Sequence, residues 1–323
     1  MQRVALNALN GHNGTVGVYN YKTGEVLCMV SASTYDPENV PDIAGNPEQY
    51  DGAYINRFID ASYTPGSTFK LVTAVAALSE LEDVQERTFH CVGEAKIGSE
   101  IVYCNGVHGD VSFERALAKS CNIAFAELAE ELGADVLTEY VQQLGITQSL
   151  SFDGFDTKAG SFDVSDATVY ETAWAAIGQY TDQINPCQFM VFMGAIANGG
   201  KAAIPYVVQE VSCGESERYQ AKTEMTGALL ERSVANELAD AMHYAVVNNY
   251  GEWNFAGLYA GAKSGTAERG NGLEANALFA GFIEDEDYPL AFVIVVEGGG
   301  SGSAACTPIA YQVLNACVVA MNG

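Results

Sequence analysis

Basic residues are scarce in this chain. Its 323 residues include 15 Lys and Arg against 41 Asp and Glu, a formal net charge of -26. A surface of that sign repels phosphate backbones and anionic headgroups, so nucleic acid is excluded as a partner. Long apolar runs are missing as well. No stretch approaches about 18 consecutive apolar residues, the length that would mark a membrane span, and Met1-Gln2-Arg3 leads into no signal-peptide core. Histidine is limited to His12, His90, His108 and His243, whose spacing builds neither a Ser-His-Asp triad nor a standard metal motif. Structural roles are expected for each.

The 8 cysteines are too dispersed for a disulfide mini-scaffold. Cys91 and Cys104 flank a hairpin-like stretch, Val92 to Tyr103, and a disulfide in an oxidising compartment is the first expectation for them. Free thiols come second. A zinc site with the nearby His90 and His108 comes last, because the spacing matches no standard finger. Cys28, Cys187, Cys213, Cys306 and Cys317 lie mostly in apolar runs and read as buried small hydrophobes.

The periodicity divides the chain into three parts. Thr15 to Tyr19 and Glu25 to Ser31 are β-rich runs around the turn Lys22-Thr23-Gly24, and Tyr35-Asp36-Pro37 through Asp51 is loop. Helical patterns then dominate: Leu71 to Leu78, a short helix from Ser112, Asn122 to Leu132 closed by Gly133, Val136 to Leu144 closed by Gly145, Ser165 to Ile177, Pro186 to Asn198, and Val234 to Val247. Strand periodicity returns at Leu258 to Thr266, Ala277 to Ile283 and Leu290 to Val296, before a closing helix from Ala304 to Met321. The fold class is therefore α/β (α+β): an antiparallel sheet built from the N- and C-terminal segments, flanked by helices, with an all-helical block inserted and a cleft where the two meet. The sheet part is expected over about 1–66 and 256–323 and the helical part over about 67–255.

Three short motifs carry chemistry. In Pro65-Gly66-Ser67-Thr68-Phe69-Lys70, Ser67 sits at or next to a helix N-cap, and Lys70 follows at i+3 on the same face. A hydroxyl beside an amine in an otherwise apolar helix suits a nucleophile with its own base. Ser120-Cys121-Asn122 lies at a helix junction, where a hydroxyl and a carboxamide two residues apart can relay a proton and hold an amide. Lys263-Ser264-Gly265-Thr266 lies on the first returning strand and offers a cation and two hydroxyls to a carboxylate, with Gly265 permitting close approach. Taken singly, capping by Ser67, Ser120 or Asn122 and an ordinary edge strand explain each motif. Their joint order, S-x-x-K then S-x-N then K-[ST]-G, is that of penicillin-binding proteins and serine β-lactamases.

With Lys22-Thr23-Gly24-Glu25-Val26-Leu27, Tyr35-Asp36-Pro37, His108-Gly109, Ile177-Gly178-Gln179 and Ile196-Ala197-Asn198-Gly199-Gly200 also matching, the chain resembles the class B (monofunctional) penicillin-binding protein transpeptidase domain over nearly its whole length. The resemblance implies that Ser67 attacks the penultimate D-Ala carbonyl of a peptidoglycan stem peptide, with Lys70 as general base. It implies that Ser120 relays the proton to the leaving amine and that Asn122 holds the substrate backbone. Lys263, Ser264 and Thr266 would bind the terminal carboxylate beside Gly265, and the backbone N–H groups of Ser67 and Thr266 would form the oxyanion hole. An amine of a second stem peptide would resolve the acyl-enzyme, and β-lactams would acylate the same serine. No metal or organic cofactor is implied.

The implied setting is the extracytoplasmic face of a bacterial membrane, with an N-terminal anchor and pedestal absent from this chain and a glycosyltransferase as partner. Ser264 replaces the family's usual Thr and keeps the hydroxyl. For Cys121, inside the second motif, packing is the only role the sequence suggests. A D,D-carboxypeptidase, a β-lactamase or a non-catalytic β-lactam sensor could use the same scaffold. Glu171 lacks the flanking pattern of a deacylating base. Gly300-Ser301-Gly302-Ser303-Ala304-Ala305 imitates a dinucleotide loop, but the chain ends at Gly323, too soon for the strand and ribose-binding acid that loop requires.

Overall fold

In a computed structural model, which describes every residue except Glu215, Asn271 and Gly323, the two ends of the chain meet in one five-stranded antiparallel sheet. The N-terminal end contributes β1 (Gly14–Asn20) and β2 (Val26–Ala32). The C-terminal end contributes β3 (Ala260–Ala267), β4 (Asn276–Ile283) and β5 (Leu290–Val296). The order across the sheet is β3-β4-β5-β1-β2, so β3 is an edge, and the two chain ends are sewn together where Gly17 pairs with Val293.

Side chains alternate across this sheet, and both faces are buried. From β5, Leu290, Phe292, Ile294 and Val296 enter one core, whereas Ala291, Val293 and Val295 enter the other. Helices α1 (Gln2–Ala8) and α8 (Gly302–Met321) cover the first face through Ala5, Ile309 and Val313. Helix α6 (Pro186–Ala197) covers the second through Phe189, Phe192 and Met193. That second core continues without a break into α2 (Lys70–Glu80), α4 (Asn122–Gln143), α5 (Val169–Ile177) and α7 (Arg232–Ala245), so the helical block and the sheet share one apolar interior. Helix α8 has the length and hydropathy of a membrane span. Its apolar face, from Cys306 to Cys317, is spent on the sheet.

Several local expectations are corrected. Helix α1 was not foreseen, because it is one short amphipathic stretch whose apolar side only α8 and β2 reveal. The segments 122–132 and 136–144 form one element broken at Gly133. Helix α5 begins at Val169, not Ser165, because the reciprocal cap between Thr168 and Glu171 starts it there. Cys213 is exposed in a small two-stranded ribbon, Glu210–Cys213 with Ser216–Gln220.

One ion pair, between the buried Arg57 and the partly buried Glu297, ties the loop from 51 to 57 to the sheet and to the approach of Ser67. The Arg57 guanidinium donates to Glu297 at 2.8 Å and to the carbonyls of Gly52 and Asp51 at 3.0 Å, while the Tyr63 hydroxyl donates to the same Glu297 oxygen at 2.8 Å. Burial, then the Glu297 charge, pushes the Tyr63 phenol well above its usual range. Removing one member of such a pair strands the other, so Arg57→Met is expected to lower unfolding stability by about 3 kcal/mol. Denaturant titration measures this, and a loss under about 1 kcal/mol would mean that the pair is not an anchor.

Candidate active site

The run Tyr63-Thr64-Pro65 is held by backbone pairing of Tyr63 with Ile184, and the Gly66 N–H donates to the Gly178 carbonyl at 2.9 Å. Gly66–Thr68 then makes one 3-10 turn that feeds α2. Ser67 does not cap that helix, whose N-cap is Phe69 with no side-chain bond. Its hydroxyl is therefore left to Lys70. The edge strand β3 is pressed against the same turn. A Cβ on Gly265 would stand 2.4 Å from the Pro65 carbonyl oxygen, and one on Gly66, where φ is 54°, would stand 2.5 Å from that of Thr266. Only glycine fits at either position, and this contact brings Ser67 beside Ser264 and Thr266 at the cleft.

Lys70 and Lys263 are both fully buried. Lys70 Nζ donates to the Ser120 carbonyl and to Asn122 Oδ1, each at 2.7 Å, and lies 3.2 Å from both Ser67 Oγ and Ser120 Oγ. Lys263 Nζ donates to Ser120 Oγ at 3.0 Å and to the Ser264 carbonyl at 2.9 Å. One hydroxyl thus joins two lysine amines, and among the described residues neither lysine forms an ion pair with a carboxylate. Burial brings Lys70 down to about 7 against the opposing pull of the Cys104 and Cys121 sulfurs. Burial and the charge of Lys70 push Lys263 well below its ordinary value. Because the folded chain binds fewer protons than the unfolded one between about 7 and the usual lysine range, Lys70 makes stability rise with pH across that window. Below it, the full penalty of a buried charge is present.

Ser120 reaches the pair through a left-handed backbone, φ 55°, at the junction between α3 (Phe113–Ala118) and α4. Asn122 opens α4 and donates its side-chain amide to the Tyr103 carbonyl at 3.0 Å, which aims its oxygen at Lys70. The three motifs therefore converge on one point. Lys263 differs in one respect: its ammonium lies behind the surface, on Ser120, while Ser264 and Thr266 face a cleft of about 830 Å³. Thr266 Oγ1 accepts from the Gly302 N–H at 3.1 Å, which explains the glycine-rich dinucleotide imitation as the turn that closes this corner.

Sequence reasoning missed Tyr250, whose buried hydroxyl accepts from the Ser264 N–H and meets Ser264 Oγ, both at 3.0 Å. It lies in no motif. Gln179, which donates to the Thr266 carbonyl at 2.8 Å, stood within a quoted motif but had no assigned role. Tyr170 and Trp174 of α5 form an apolar wall of the cleft. Glu171 also lines it, but its carboxylate accepts from the Thr168 N–H at 2.8 Å and from the Thr168 hydroxyl. Those bonds lower its pKa and make it a weak base. Cys91 and Cys104 are not joined in a disulfide, and His90 pairs with Asp110 on the surface.

The profile of the penicillin binding protein transpeptidase domain matches residues 14–315. The chain belongs to this family. Among curated penicillin-binding relatives, the peptidoglycan D,D-transpeptidase PbpA of Mycolicibacterium smegmatis is 28% identical over 94% of this chain and 67% of its own length. The stage V sporulation protein D of Bacillus subtilis is 28% identical over 86% of the chain and 44% of its own. The chain thus spans between about half and two thirds of these relatives. In three dimensions, the D,D-transpeptidase domain of a peptidoglycan glycosyltransferase from Eggerthella lenta superposes with a TM-score of 0.87, at 28% identity, over 99% of this chain and 81% of that one. The mixed fold with its antiparallel sheet is that of penicillin-binding transpeptidase domains.

The shared hydroxyl of this penicillin-binding domain has a measurable weight. Ser120→Ala removes a hydrogen-bond acceptor shared by Lys70 and Lys263 and is expected to destabilise by about 2–3 kcal/mol at pH near 6, where Lys70 is charged. Ser120→Gly removes the same hydroxyl but takes the left-handed backbone without strain, so its loss should be about 0.5–1 kcal/mol smaller. Urea unfolding of both variants tests this, and glycine proving the worse substitution would contradict it.

Proposed function

We propose that the chain is the catalytic domain of a peptidoglycan D,D-transpeptidase that works through a Ser67 acyl-enzyme and is inhibited by β-lactams. The observation that carries this reading is the position of Lys70 Nζ, within 3.2 Å of Ser67 Oγ and of Ser120 Oγ and 2.7 Å from Asn122 Oδ1. A neutral Lys70 keeps two N–H donors for its short bonds and turns its lone pair to the Ser67 proton. Ser67 Oγ then bonds the carbonyl carbon of the penultimate D-Ala, and its proton passes to Lys70. The oxyanion is held by the N–H groups of Ser67 and Thr266, which the close packing at Gly265 keeps near one another. Collapse breaks the C–N bond, and the departing D-Ala amine takes a proton from Ser120 Oγ, which is resupplied from the lysine pair. A stem-peptide amine reverses the sequence and forms the crosslink.

Substrate sorts the protons of the two lysines in this account. Ser264 and Thr266 hold the terminal carboxylate at the cleft surface, and Lys263 lies directly behind Ser264, bonded to its carbonyl at 2.9 Å. The arriving negative charge favours the proton on Lys263 and leaves Lys70 neutral. Asn122 holds the substrate backbone. The Glu171 carboxylate on the cleft wall is engaged with Thr168 and is not free to serve as a deacylating base, which favours a transpeptidase over a β-lactamase. The proposed setting is the extracytoplasmic face of the cell membrane, with a membrane glycosyltransferase supplying the glycan strands that the crosslinks join.

Intact-mass spectrometry after incubation with benzylpenicillin, on the chain and on Ser67→Ala, tests this. A single long-lived adduct that the variant lacks is expected. An adduct on the variant would remove Ser67 as nucleophile, rapid loss of the adduct with penicillin consumed would make the protein a β-lactamase, and no adduct on either would defeat the reading.

A further inference from the structure

Four potential ligand atoms converge beside the second motif from four separate places. Cys91 ends the strand Thr88–Cys91, Cys104 follows the strand Glu100–Tyr103, His108 precedes the strand Gly109–Ser112, and Cys121 is the N-cap of α4. Pairing of Cys91 with Gly109 and the hairpin between Glu94 and Tyr103 fold these positions onto one point. The three sulfurs and one histidine nitrogen all lie within 4.8 Å of one another. Cys104 Sγ is 3.9 Å from Cys121 Sγ and 3.6 Å from His108 Nδ1.

Those distances discriminate. A disulfide needs sulfurs about 2.05 Å apart, and the sulfurs of Cys104 and Cys121 stand nearly twice as far apart. Zinc bound to thiolates at about 2.3 Å and to imidazole at about 2.0 Å has tetrahedral edges of about 3.8 Å between sulfurs and about 3.5 Å from sulfur to nitrogen. Both observed separations match. Simple packing of small hydrophobes explains Cys91 and Cys121, which are fully buried, but not why a half-buried imidazole turns its nitrogen to a half-buried thiol. The Asn122 N–H, at the start of a long helix, also donates to Cys104 Sγ at 3.2 Å, a contact that suits a thiolate ligand.

We propose that Cys91, Cys104, His108 and Cys121 bind one zinc ion in a closed structural site that fixes the turn carrying Ser120 and Asn122. Binding displaces three thiol protons to solvent and takes the neutral imidazole through Nδ1. No oxidant or reductant is involved. With all four positions supplied by the protein, the ion has no place for substrate or water and does no chemistry of its own. Its effect on the site is positional. Cys121 stands between Ser120 and Asn122, and Cys104 holds the Asn122 backbone, so the metal would set the geometry of both groups that contact Lys70. The site also accounts for the thiol at 121, where packing alone gave no reason for sulfur. It is the fourth ligand that the spacing of Cys91, Cys104 and the two nearby histidines lacked.

The zinc site stands independently of the proposed activity, because the decisive readout is metal. The whole chain, purified without chelator, should carry about one zinc by elemental analysis and keep it through gel filtration. Replacement by cobalt should produce intense thiolate-to-cobalt charge-transfer absorption, which aspartate, glutamate or histidine sites lack. Cys91→Ser and His108→Ala should each reduce bound zinc to well below half, and the cobalt spectrum of the unaltered chain decides if either variant fails to fold. Metal-free protein with all 8 thiols reactive in denaturant would overturn the proposal. So would a chain two hydrogens lighter than its sequence, which reports a disulfide, or zinc content unchanged in both variants. If the transpeptidase reading also holds, stripping the zinc should slow penicillin acylation by about 10–100-fold.

Discussion

Two buried lysine amines meeting on one serine hydroxyl are the constraint around which this domain is arranged. Bringing Lys70 from its ordinary value to about 7 corresponds to roughly 5 kcal/mol withheld from the charged form, a large sum beside the stability of an ordinary domain. The fold does not relieve this with a carboxylate. It surrounds the pair with oxygen acceptors, namely the Ser120 and Ser264 carbonyls, the Ser120 hydroxyl and Asn122 Oδ1. Those acceptors keep the amines in place while leaving their charge adjustable. A salt bridge would favour the protonated form of Lys70.

Holding that cluster requires elements that are far apart in the chain. Lys70 comes from the first helix of the inserted block, Ser120 and Asn122 from a helix junction, and Lys263 from the edge strand of a sheet that the two chain ends complete. The sheet is rigid because both its faces are buried, and its edge is pressed onto the Ser67 turn at Gly66 and Gly265. Backbone contact at that point leaves no slack between strand and turn. The continuous apolar interior shared by sheet and helices transmits the same rigidity to α4. The hairpin cysteines and His108 press on the other side of the Ser120 turn, so it is held from both flanks.

Much of this was legible in the sequence, for identifiable reasons. Strand periodicity at 15–31 and 258–296 located the sheet, and its construction from both chain ends followed from the helical block between. The three motifs marked Ser67, Lys70, Ser120, Asn122 and Lys263 because their spacing fixes side chains on one face of a turn or helix. What spacing could not reveal was convergence across the fold. Tyr250, in a π-helical turn, reaches Ser264 only once α7 packs on β3. Cys121 looked like packing because its companions lie 17, 13 and 30 positions away in sequence, at Cys104, His108 and Cys91. Ser67 stands two residues before the N-cap at Phe69, because a 3-10 turn that leaves no mark on the helical periodicity precedes α2.

The central claim is that Ser67 is activated by a neutral Lys70, and the most direct test is the pH dependence of its acylation. The second-order rate of benzylpenicillin acylation should be measured by intact mass from about pH 5 to about pH 9. The account predicts a rate that falls about tenfold per unit below an apparent pKa near 7, where Lys70 becomes charged, and that levels off above it. A rate independent of pH across that range, on a chain that stays folded throughout, would show that Lys70 is not the base.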